Sequence, residues 1–129
     1  MRVIVAGSRS FTFEDYGIVA DTCLATGLWF STILSGKATG VDRLGEKFAE
    51  AMGIPVDPYP ADWRRYGLEA GRIRNELMAT KADALILIWD GHSSGSRHML
   101  EAARHHKLLV HIRTAVPTPL MPRRPIKGA

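Results

Sequence analysis

Cysteine is nearly absent: Cys23 stands alone among 129 residues. No internal disulfide can form, so nothing in the chain demands an oxidising compartment. No apolar run approaches the ~20 residues of a membrane span, so no membrane partner is expected. The opening stretch MRVIVAGSRSF is too short and too interrupted by polar residues to read as a secretion signal, and a cytoplasmic location is expected. The phosphate-binding pattern G-x-x-x-x-G-K-[ST] is missing, which argues against ATP hydrolysis of the P-loop type. No G-x-G-x-x-G follows the first apolar run, and no acidic residue ends the second to hold a ribose. Metal-ligand spacing is missing too. His105 and His106 would point ~100° apart on a helix, and no metal or other cofactor is expected.

Acidic residues are absent from the C-terminal segment. The 17 Lys and Arg exceed the 13 Asp and Glu by four. The whole excess comes from Arg113, Arg123, Arg124 and Lys127, because residues 1–112 are formally neutral. The segment RTAVPTPLMPRRPIKGA holds four prolines and no acid. Residues 113–129 therefore read as an extended or disordered basic tail, and residues 1–112 as one folded domain.

What the domain does have is alternation. VIVAG (3–7), STILSG (31–36), IPVDPYP (54–60), ALILIWD (84–90) and LLVHI (108–112) are apolar runs of strand length. They are continuous rather than alternating, as expected of strands covered on both faces. The prolines of the third suit an edge strand. Helical patterns lie between them, over 14–27, 40–52, 66–80 and 96–106. The first ends at Gly27, and Gly53-Ile54-Pro55 stops the second. In the third, Ala70, Ile73, Leu77 and Thr80 share one face. The pattern predicts an α/β, Rossmann-like three-layer α/β/α fold with a mainly parallel sheet of about five strands.

In such a fold ligands bind beyond the carboxyl ends of the strands, where helix N-termini offer N–H groups and positive dipoles. Three junctions there combine glycine with small hydroxyls: AGSRSF (6–11), SGKATGVD (35–42) and DGHSSGSRHMLEAA (90–103). Their candidate ligand-binding residues are Gly7, Ser8, Arg9, Ser35, Gly36, Lys37, Gly40, Asp42, Asp90, Gly91, Ser93, Gly95 and Ser96. Arg74 borders the buried face of its helix, so its guanidinium needs either an internal acid or a ligand phosphate. Asn75 beside it either caps or contacts ligand. Trp63 and Tyr66 either stack on a base or cover the loop. Asp42 is either a site carboxylate or the far end of a Thr39-x-x-Asp42 capping box.

These blocks together resemble the SLOG superfamily, in particular its small YspA-like members with a Rossmann-type fold. The resemblance rests on GSRSF, SGKATGVD, ADWRRYGLEAGRIRNELM and ILIWDGHSSGSRHMLEAA in that order, and covers roughly residues 1–112. It implies binding of a nucleotide or nucleotide-derived small molecule. Relatives include LONELY GUY-type phosphoribohydrolases and DNA-processing protein A, a single-strand DNA binder. The resemblance also makes a homodimer an expectation, with Leu28-Trp29-Phe30 as a candidate apolar patch. The hydrolases carry P-G-G-x-G-T-x-x-E beside an R-K-x-x-M helix. Arg74 and Met78 match the second motif, and Gly95 and Ser96 the G-T pair, but Met99 occupies the position of the catalytic Glu. A thioether is neither acid nor base, which argues against that mechanism.

The leading expectation is therefore a binding module. The first alternative is an N-glycosidic hydrolase acting on a nucleoside monophosphate or dinucleotide. Its candidate catalytic groups are Asp42, Asp62 and Arg74, with Arg9 and Asp90 as further charges. The second alternative is single-stranded nucleic-acid binding through the basic tail.

Overall fold

The computed structural model describes residues 1–119. Five strands, β1 (Arg2–Gly7), β2 (Thr32–Ser35), β3 (Val56–Pro58), β4 (Ala84–Trp89) and β5 (Leu109–Thr114), alternate with helices. These are α1 (Tyr16–Ala25), α2 (Val41–Met52), the single turn α3 (Trp63–Tyr66), α4 (Ala70–Lys81) and α5 (Ser94–His105). The sheet order is β3-β2-β1-β4-β5, and every pairing is parallel. This is the expected Rossmann-like α/β fold. The proline-containing third run does form an edge strand. No helix among the described residues is long and apolar enough to cross a membrane.

The continuous apolar runs exist because alternate residues serve opposite layers. Val3, Val5, Ile33, Ile86 and Ile88 pack with Val19 and Cys23 of α1 and Leu44 and Phe48 of α2. Ile4, Ala6, Leu34, Leu85 and Leu87 pack with Met78 and Ala79 of α4 and Met99, Leu100 and Ala103 of α5. The chain leaves β1 toward β2 on one side and reaches β4 on the other, so a crevice opens at the carboxyl ends of β1 and β4.

Three expectations need correction. The first helix begins at Tyr16 after a 3₁₀ turn over Phe13–Asp15, and ends at Ala25, with Gly27 just beyond its cap. In α4, Ile73 and Leu77 are 41% and 48% exposed, while Ala70, Asn75, Met78 and Ala79 are buried. The helix turns a partly polar face inward because it borders the crevice. The domain also does not stop at 112. Arg113 and Thr114 pair with Ile88 and Trp89, and Thr118 is tied down through its N–H and hydroxyl to Asp15 Oδ1 (2.9 and 2.7 Å). Arg123, Arg124 and Lys127 of the expected tail lie outside the described residues.

Candidate functional site

The three strand-to-helix loops converge because Ser8 knits them together. Its N–H donates to Ile88 O and its carbonyl accepts from Val41 N, both at 3.1 Å. Its Oγ accepts from Asp90 N, also at 3.1 Å. Such close approach requires glycine at two neighbours. A Cβ on Gly7 would sit 1.7 Å from Ile88 O. Gly40, the N-cap of α2, has φ +80° and would place a Cβ 2.2 Å from Ser8 O. Thr39-x-x-Asp42 is therefore not a capping box, since the helix starts after Gly40. Asp42 instead turns back, and its Oδ2 accepts from Ala38 N (3.2 Å).

Between these loops and α4 lies a cleft of about 440 Å³, within the range of small-molecule sites. Gly7, Arg9, Asp42, Arg74, Asn75, Ser93, Gly95 and Ser96 of the expected set all line it. A second hollow of about 300 Å³ continues past Arg9, Arg74 and Trp63 to Gly36 and Lys37. Trp63 lines both, whereas Tyr66 lines neither. Asp62 is spent as N-cap of α3, accepting from Arg65 N (3.2 Å). Ser35 is fully buried, and its hydroxyl donates to Glu46 Oε2 (2.6 Å). Glu46 also binds Lys37 Nζ at 2.8 Å, so that cation is neutralised within the fold. Asp90 forms a turn in which Oδ1 accepts from His92 N and Ser93 N (2.8 and 3.1 Å), and Gly91 follows it at φ +88°. Ser8, Ser35, Gly40, Asp90 and Gly91 thus belong to the scaffold rather than the lining.

The cleft carries a positive balance. Arg9, Arg72 and Arg74 line it, and Asp42 is its one acidic residue among the described residues. Asp42 is only 5% exposed. Burial pushes its carboxyl up to about 6, against the pull of Ala38 N–H and of the Arg74 and Arg9 charges. The half-buried Arg74 donates through Nη1 to Gly36 O and through Nε to Asn75 Oδ1 (2.9 Å). Burial lowers its pKa, with Asp42 acting in the opposite direction. The first turn of α5 adds N–H groups of Ser94 and Gly95, which helix geometry leaves without intrahelical acceptors. Its Ser96 N–H is capped by Ser93 Oγ (3.4 Å). Apolar surface comes from Trp63, Leu68, Met78 and Met99. Met99 is 2% exposed and packs in the core layer beneath the cleft.

Sequence reasoning missed seven lining residues: Ala6, Ala38, Leu68, Gly71, Arg72, Ser94 and His98. Arg72 and His98 carried a signal, since each is a polar residue within a turn of a residue already singled out, Arg74 and Gly95.

The family model described as "YspA, cpYpsA-related SLOG family" matches residues 1–66, half of the chain. The chain belongs to this SLOG family. The Gene 61 protein of Mycobacterium phage D29 is 34% identical over 113 residues, covering 80% of this chain and 88% of that one. The X-ray structure of DNA processing protein A from Streptococcus pneumoniae superposes with a TM-score of 0.64 at 21% identity. That match covers 86% of this SLOG chain and 49% of its neighbour, about half the neighbour's length, and at that identity it speaks for the fold.

Proposed function

We propose that this SLOG protein binds a nucleotide or nucleotide-derived small molecule in the 440 Å³ cleft. The observation that carries the reading is the meeting of Arg9, Arg72 and Arg74 with the first turn of α5 on one side and apolar walls on the other. Guanidinium groups and free helix N–H groups suit phosphate, and the exposed Trp63 and Leu68 offer surface for a base. Asp42 is the acceptor available to a ligand hydroxyl or amine. Isothermal calorimetry against a broad nucleotide panel tests this, and complete absence of binding overturns it. Arg74→Ala should weaken binding by ~10–100-fold, the range for losing a hydrogen bond to a charged group.

The phosphoribohydrolase route finds no support at Met99, whose buried thioether holds the position of the catalytic carboxylate. Hydrolysis by another route would have to use Asp42, the one carboxylate in the lining among the described residues. Chromatographic release of free base from AMP or NAD distinguishes that reading from binding alone. Binding of single-stranded nucleic acid would instead give affinity that falls steeply with salt.

The proposal extends to a homodimer. Of the patch Leu28-Trp29-Phe30, only Trp29 is exposed, and its neighbours pack against the core. The better surface is the outer ridge of α4 and its N-cap Glu69, where Glu69, Ile73, Leu77 and Lys81 recur every fourth residue and are all exposed. This ridge is self-complementary. A second copy running antiparallel sets Ile73 against Leu77 and Glu69 against Lys81 twice over, as a twofold contact requires. Ile73→Glu should abolish the dimer in sedimentation velocity, and an unchanged wild-type monomer across concentrations would refute it.

A further inference from the structure

His98 lines the cleft, half-buried on α5, and neither its motif context nor the proposed phosphate contacts assign it a role. We propose that His98 presents a fixed Nε2–H donor to an acceptor oxygen of the cleft's occupant, with its tautomer locked by a relay from Arg74 through Asn75. The proposal rests on the cleft being a ligand site.

The locking follows from which groups can only donate. A guanidinium has no acceptor, so the Asn75 atom 2.9 Å from Arg74 Nε must be the amide oxygen. That choice turns the Asn75 amino group toward α5. There Nδ2 donates to Gly95 O (3.4 Å) and lies 3.2 Å from His98 Nδ1. An amide nitrogen has no lone pair to offer, so His98 Nδ1 must accept. A neutral imidazole that accepts at Nδ1 carries its proton on Nε2. Asn75 is only 6% exposed, so water cannot readily take over either role if the amide turns round. Reversal would also set two donors against each other at Arg74 and two acceptors against each other at Gly95 O.

The consequence is directional. With the Nδ1 edge occupied, Nε2 is the ring's remaining polar atom, and in this tautomer it donates. The occupant must therefore bring an acceptor, such as a phosphate oxygen, to this part of the cleft. A ligand amino group would find no partner there. Asn75 is the positioning residue, acting through His98, and Arg74 serves twice, as phosphate-binding cation and as the anchor of the relay.

Long-range proton–nitrogen correlation of the full-length protein reads the tautomer directly. His98 should show the Nε2–H pattern, and Asn75→Ala should average it toward a tautomer mixture. Titration with AMP and, separately, with inorganic phosphate should move the His98 Nε2 resonance. His98→Phe should lose about tenfold in AMP affinity while the backbone amide spectrum stays that of the folded protein. An Nδ1–H or averaged pattern in the wild type overturns the relay and leaves the pocket reading intact. Tight AMP binding that ignores His98→Phe overturns the donor role. Failure of the entire nucleotide panel instead removes the pocket reading, and the donor role with it, whatever the tautomer.

Discussion

Asp42→Asn should make the protein more stable at neutral pH relative to acid, by an amount that can be worked from its surroundings. The carboxyl is moved from an ordinary 3.8 to about 6, with burial as the largest cause and Glu46 adding repulsion. The N–H of Ala38 and the charges of Arg74 and Arg9 work against that rise without cancelling it. The folded state therefore holds a proton that the unfolded chain has already released between those two values. Stability contributed by the protonated group is fully present below the unfolded value and is lost as pH rises through the folded one. Roughly two pH units at 1.36 kcal/mol each give about 3 kcal/mol lost across the window.

Asparagine keeps an oxygen for Ala38 N–H and cannot titrate. The difference in unfolding free energy, variant minus wild type, should thus climb by about 3 kcal/mol between about pH 4 and about pH 7. Any packing offset of the substitution is common to all pH values, so the climb is the readout and not the absolute difference. Urea unfolding followed by circular dichroism at stepped pH measures it, and in thermal scans the change amounts to roughly 10 °C for a chain of this size. A flat difference would refute the burial argument. A difference that falls with pH would show that the arginines win and that Asp42 is a stabilising carboxylate. If the cleft takes the proposed nucleotide, its donors should meet Asp42, and bound nucleotide should narrow the gap between the two proteins.

Other substitutions test the scaffold around the cleft. Gly40→Ala combines a strained φ with a Cβ 2.2 Å from Ser8 O. It should cost more than about 2 kcal/mol in urea unfolding and weaken nucleotide binding, because the β1 and β2 loops must part. Thr118→Val removes the hydroxyl donor to the buried Asp15 while leaving the backbone N–H bond. It should cost about 1–2 kcal/mol and hasten proteolysis after β5, whereas an unchanged digestion pattern would show that the backbone bond alone holds this segment.

The central strands β1, β2 and β4 were readable because burial on both faces makes them continuous apolar runs, whereas the edge strands β3 and β5 leave much of their surface exposed. Misreading began where a helix faces the cleft. In α4 the apolar residues Ile73 and Leu77 suggest the inner face, yet Arg74, Asn75 and Gly71 turn toward the site. In α4 hydrophobic spacing thus picked an exposed ridge, because part of the inward face is polar and borders the cleft. The loops lie at the carboxyl ends of the strands, where the strand-helix alternation put them, but a serine or aspartate that satisfies backbone N–H groups has the same local signature as one that meets phosphate. Ser8, Ser35 and Asp90 each accept from a backbone N–H within the scaffold.

Partner choice across the chain decided the rest. Lys37 is neutralised by Glu46 and Arg2 by Asp57, while Arg9 and Arg72 have no ion pair among the described residues and border the cleft. No local pattern separates these cations, because the acid that claims each one is set by the register of parallel strands and the helices between them. The same holds for His98, whose tautomer is dictated by an asparagine 23 positions earlier and by that asparagine's arginine neighbour. A site of this kind is specified less by which polar residues line it than by which of their donors and acceptors the fold has already used. In this cleft the unused ones are guanidinium, imidazole and helix N–H donors with, among the described residues, one buried carboxylate, a set that suits the phosphate-bearing occupant proposed for it.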